Sequence, residues 1–160
     1  MYRIKSMSCL FLFLVLLQVK VLAELKMPTF FGNNMVLQQN TSNAIWGWAG
    51  KSEKVSIETS WGEVQNTKSD EQGYWKVFLP TPSYRLNEVI NISTSSDNLV
   101  LKNVAIGEVW LCLGQSNMGW ALQNCFGAAD DLKNAEMNEL RIYKSDRQHW
   151  HEPRNDCATG

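Results

Sequence analysis

Between residues 28 and 102 the apolar positions recur every second residue, in short runs separated by turn residues. Residues 43–49 carry Ile45, Trp46 and Trp48. Residues 54–60 alternate, with Val55, Ile57 and Thr59 on one face; residues 74–79 alternate, with Trp75, Val77 and Leu79 on one face. Residues 89–94 and 99–102 continue the series. Between the runs lie Gly50-Lys51, Trp61-Gly62, Asp70-Glu71-Gln72-Gly73, Pro80-Thr81-Pro82 and Ser95-Ser96-Asp97. A period of two puts one side of each run on a core, and turn residues close each hairpin. The spacing predicts an antiparallel β-sandwich, and no helical period is found in this stretch.

The texture changes near Asn103. Residues 104–113 form a longer apolar run closed by Gly114, as expected of a strand buried on both faces of a parallel sheet. Residues 128–139 have a partial helical stripe in Leu132, Ala135 and Met137, and residues 140–143 alternate again. Strand, turn, helix and strand are the beginning of an α/β domain. One such unit cannot bury its own faces, so a fragment of a larger domain is expected. The chain therefore divides into residues 24–102, a β-sandwich, and residues 103–160, the incomplete start of an α/β domain.

Residues 1–23 read as an address. Arg3 and Lys5 precede an unbroken apolar run from Cys9 to Leu17, and Val21-Leu22-Ala23 offers small residues for cleavage. This predicts a secretory signal peptide, too short to span a bilayer. The whole chain of 160 residues has 15 basic and 16 acidic residues; from residue 24 onward it has 12 and 16. No basic face is implied, which argues against nucleic acid as a partner. No membrane association is expected once the signal is cleaved. Hydrophobic residues at 44% and charged residues at 19% fit a folded globular chain. The sequons at Asn40 and Asn91 are candidate N-glycosylation sites on that route. Cys112, Cys125 and Cys157 remain after cleavage, an odd number whose pairing stays open, and their spacing fits no zinc pattern. Neither a metal nor a cofactor is expected.

The sharpest chemical feature is Gly114-Gln115-Ser116-Asn117-Met118. A serine between a buried strand and a helical segment is well placed as a nucleophile, because backbone amides at a helix start can face a developing anion. Met118 stands where an α/β-hydrolase elbow has its second glycine. Serine also caps helices for purely structural reasons, so position alone leaves both readings open.

Longer blocks carry a resemblance. Residues 31–38 (FGNNMVLQ), residues 45–48 (IWGW) and residues 106–112 (IGEVWLC) running into residues 114–118 (GQSNM) resemble blocks of the sialate O-acetylesterase family, in the same order. That family is a branch of the SGNH hydrolases. The resemblance covers roughly residues 28–145. It implies a β-sandwich followed by a flavodoxin-like three-layer α/β catalytic domain. It implies a serine esterase that removes O-acetyl groups from sialic acids or other acetylated sugars. Ser116 falls on the nucleophile position, and its amide would contribute to the oxyanion hole. The family's other oxyanion donors, a glycine and an asparagine, and its Asp/His pair come from later blocks, which this chain does not contain. The chain alone is therefore expected to be inactive. Leu113, Gly119 and Ala121 depart from the family's residues around the nucleophile and Trp120.

Other groups are weaker candidates. His149 and His151 with Glu152 could suggest a metal pair, but a polar tail explains them more simply. Glu108 precedes the end of its run and reads as structural. Asp130 and Asp131 suit a helix start. Trp46 and Trp48 share one strand face and could pack in a core or stack on a sugar. Competing with the esterase are a non-catalytic carbohydrate-binding sandwich and a structural domain completed by a partner chain. The resemblance places the protein in the secretory pathway, secreted or lysosomal. The preferred sugar and the oligomeric state are not legible.

Overall fold

The structure, a computed structural model, describes residues 24–145 and 151–156. The expected signal segment, His149, Trp150 and Cys157 lie outside the described residues. Seven strands are present: β1 (Val36–Gln38), β2 (Ser42–Trp48), β3 (Lys54–Thr59), β4 (Val64–Lys68), β5 (Tyr74–Pro80), β6 (Arg85–Ser93) and β7 (Asn98–Gly107). Five of them form a sheet in the order β1-β7-β6-β3-β4, and β2 pairs with β5 in a separate antiparallel ribbon. A short helix, α1 (Ala128–Lys133), the only α-helix among the described residues, follows two 3-10 turns.

Both sheets turn apolar side chains into one core. The ribbon supplies Ile45, Trp75, Val77 and Leu79; the larger sheet supplies Leu37, Val55, Ile57, Ile90, Ile92, Leu101 and Val104. The period-two reading of β3 and β5 is met on the faces expected, with Val55 and Ile57 buried on one strand and Trp75, Val77 and Leu79 on the other. Gly47 is required where it stands. A Cβ there would lie 2.2 Å from the Lys26 carbonyl oxygen and 2.9 Å from the Trp75 ring. That close approach lets residue 26 pair with Trp48 through two hydrogen bonds of 2.8 Å.

Four differences from the sequence reading are physical. First, β1 pairs parallel to β7, with Leu37 opposite Ile106 and Gln38 opposite Gly107, so the sheet is not purely antiparallel. A three-residue strand gives no periodic signal, and its partner lies some 70 residues away. Second, β4 was not foreseen, because its sequence VQNTK is mostly polar. It is an edge strand, where polar and charged side chains discourage pairing with other chains.

Third, the strand expected over residues 104–113 stops at Gly107. It is continuous with the run at 99–102, and Asn103 sits inside β7 at a positive φ of 53° rather than at a break. The pairing ends because the neighbours end: β1 reaches only to Gly107, and β6 begins at Arg85, opposite Ile106. Beyond that point no described strand lies alongside. Trp110, Leu111 and Leu113 are 84%, 81% and 76% exposed. Fourth, the helix expected over 128–139 covers six residues, and residues 140–143 form no strand. Leu132, Met137, Leu140 and Ile142 are all exposed, so the stripe that would hold those elements packs on nothing. Among the described residues no helix is long and apolar enough to cross a membrane.

Candidate active site

The segment that leaves β7 is held first by side chains. Glu108 accepts a hydrogen bond from Gln38 Nε2 on one oxygen (3.1 Å) and from Gln39 Nε2 on the other (2.7 Å). These two amides, that of Gln39 foremost, hold the Glu108 carboxyl below its ordinary range. Gln38 Oε1 accepts the Val109 amide at 2.8 Å. Glu108 is thus occupied as a structural acceptor, in line with its sequence reading.

Residues 109–115 then run without regular structure to the serine motif. Ser116 opens a four-residue 3-10 turn, Ser116–Gly119, in which Met118 donates its amide to the Gln115 carbonyl at 3.0 Å. Gly114 fits a tight return of the chain, since a Cβ there would meet Met118 Cγ at 2.3 Å. Gln115 holds the cap position and makes no side-chain capping bond, so Ser116 is not an N-cap. The expected setting is therefore corrected: Ser116 lies nine residues past the end of β7 and twelve before α1, adjoining neither. Gly114, Gln115, Ser116, Asn117 and Met118 are all exposed.

Among the described residues no base and no acid reaches the Ser116 hydroxyl. A serine hydroxyl without a base is a weak nucleophile. Among the described residues no group of three His, Cys, Asp or Glu could hold a metal ion. Cys112 and Cys125 are exposed free thiols. Asp130 and Asp131 lie in the first turn of α1, where Asp130 pairs with Lys133 at 2.9 Å.

Trp46 and Trp48 face away from the core that Ile45 enters. Trp46 packs edge-on against Phe30 and Phe31 at 5.4 and 5.0 Å between ring centres, and its Nε1 donates to the Asn155 carbonyl at 2.9 Å. Trp48 packs edge-on against Tyr74. Trp46 is thus engaged by the protein itself, which weakens the sugar-platform reading.

Three side chains that tie the segment after β7 to the sheet carry no signal in the sequence pattern. Arg141 donates through Nη1 to the carbonyls of Met35 (2.9 Å) and Asn103 (2.6 Å), and through Nη2 to Asn103 Oδ1. Tyr84 Oη donates to Glu139 at 2.8 Å. Long-range polar contacts of this kind leave no periodicity to find.

The fold has a counterpart among solved structures. A carbohydrate acetylesterase from Xanthomonas citri superposes with a TM-score of 0.75 at 25% identity, covering 84% of this chain and 31% of its own. The fold over that stretch is therefore shared with a carbohydrate acetylesterase. Sequence narrows this further. The mouse sialate O-acetylesterase is 29% identical over 130 residues, the rat enzyme 31% over 130 and the human enzyme 30% over 128, covering 73–74% of this chain. Over that stretch the chain belongs with the sialate O-acetylesterase family. The chain spans about a quarter (24%) of the length of these relatives. No family model matches it.

Proposed function

We propose that this chain is part of a serine acetylesterase acting on O-acetylated sialic acids or other acetylated sugars. The observation that carries this is the motif Gly114-Gln115-Ser116-Asn117-Met118, on an exposed turn, within a chain related to acetylesterases by both sequence and fold. In this reading residues 24–102 form a β-sandwich, and residues 103–160 open a flavodoxin-like three-layer α/β domain whose remaining strands would cover the exposed run at 109–113. Residues 1–23 act as a signal peptide, and the protein is secreted or lysosomal. Asn40, exposed at a turn, is the better glycan acceptor. Asn91 is half-buried in β6 between β3 and β7, and its Oδ1 is buried without a partner among the described residues.

Ser116 Oγ would attack the acetyl carbonyl carbon as a histidine takes its proton. The C–O bond to the sugar then breaks, and the sugar oxygen receives that proton. Water cleaves the acetyl-serine ester and releases acetate. The Ser116 amide would bind the oxyanion. Family resemblance assigns the histidine, its aspartate and the other oxyanion donors to the family's later blocks. Labelling the full-length protein with a serine-directed phosphonate tests the assignment. The adduct is expected on Ser116 and absent in Ser116→Ala; an adduct that persists in Ser116→Ala would refute it.

A further inference from the structure

We propose that Glu108 is a positioning residue for Ser116, acting through the grip of Gln38 and Gln39. This rests on the reading of Ser116 as nucleophile. The two glutamines are consecutive and would face opposite sides of a continuing strand. β1 ends at Gln38, and Asn40 adopts a positive φ of 52°, so the chain turns and both amides reach the same carboxylate.

Each glutamine also grips backbone. Gln38 Oε1 takes the Val109 amide, and Gln39 Oε1 takes the Tyr84 amide at 2.8 Å. The Gln39 amide donates to the Gly107 carbonyl at 2.9 Å. One cluster thereby joins the end of β1, the approach to β6 and the exit of β7.

The position of this cluster gives it consequence. Among the described residues, every hydrogen bond made by residues 110–135 stays within that segment. The segment is fastened to the sheet only beyond its two ends, by Glu108 and Val109 on one side and by Glu139 and Arg141 on the other. Ser116 lies eight residues from the first anchor and more than twenty from the second. The direction in which the chain leaves the sheet toward the serine is therefore set at Glu108. Misplacing a nucleophile by about 1 Å costs up to roughly a hundredfold in rate, so an anchor of this kind acts on turnover rather than on substrate affinity.

The test has two readouts. In this chain, amide exchange at Val109 is expected to rise at least tenfold in Glu108→Ala and Gln38→Ala, with the amides of Ile57 and Ile92 unchanged. The exchange pair Gln38→Glu with Glu108→Gln keeps an acceptor for Val109 and a donor–acceptor match between the side chains, and should restore protection. In the form of the protein that releases acetate, Glu108→Ala is expected to lower kcat by roughly tenfold with KM nearly unchanged. The double exchange should recover most of that loss, which also covers the case in which Glu108→Ala folds poorly. Unchanged exchange at Val109, or faster exchange with unaltered kcat, overturns the positioning role. Full activity in Ser116→Ala would instead remove the esterase reading, whatever the exchange data show.

Discussion

Ser69 shows how a single hydroxyl can hold a turn. It is buried, receives the Glu53 amide at 2.9 Å and donates to the Gly50 carbonyl. Ser69→Ala would strand both backbone groups, and the cost of such losses is about 1–3 kcal/mol. A lowered urea midpoint with an unchanged slope would register it. Glu53 itself joins that turn to residues 94–97. It accepts from Ser95 (2.8 Å) and Ser96 (3.1 Å) on one oxygen and from the Gly50 amide (2.9 Å) on the other. The Ser95 hydroxyl, more than any other contact, lowers its pKa from the ordinary 4.5. A carboxyl depressed in the folded state adds stability above its unfolded pKa and loses it as pH falls through the folded value. The charged residues on that turn and loop besides Glu53 are Lys51 and Asp97. Urea midpoints measured from pH 6 down to pH 3 should therefore fall less steeply in Glu53→Gln than in the native chain.

At the scale of elements, packing decides which expectations hold. Leu79 is fully buried in β5, and Leu79→Ala is expected to cost about 2–5 kcal/mol in urea unfolding. Gly47→Ala should cost about 1–3 kcal/mol or more, because its Cβ would strike the Lys26 carbonyl and the Trp75 ring together. Trp110→Ser, at an 84% exposed site, should leave the midpoint within about 0.5 kcal/mol. These contrasts also explain what could be read from sequence. Val55, Ile57, Trp75, Val77 and Leu79 were legible because each alternates against a core that the same chain completes. The run at 104–113 carries an equally strong apolar signal, yet pairing lapses after Gly107 for want of neighbouring strands. Periodicity reports which face a segment can bury. It does not report whether the burying partner lies within the same chain. The serine motif was legible as a word, but its anchors, Gln38, Gln39, Tyr84 and Arg141, were not. Each makes its contact across 38 to 106 residues of chain or by way of a turn, and no local pattern encodes that.

Across the whole molecule two textures stand side by side. Residues 24–107 bury one continuous core between a five-stranded sheet and a ribbon. Residues 108–145 lie outside that core with Trp110, Leu111, Leu113, Trp120 and Ile142 exposed, and they carry Ser116. The mouse and human relatives are about four times as long as the matched stretch. The most direct test is acetate release from an O-acetylated sialic acid by the full-length protein, native against Ser116→Ala. Loss of at least about a thousandfold in kcat, with the variant still folded, is expected of a catalytic nucleophile. Equal rates for the two proteins would contradict Ser116 as the group that attacks the ester.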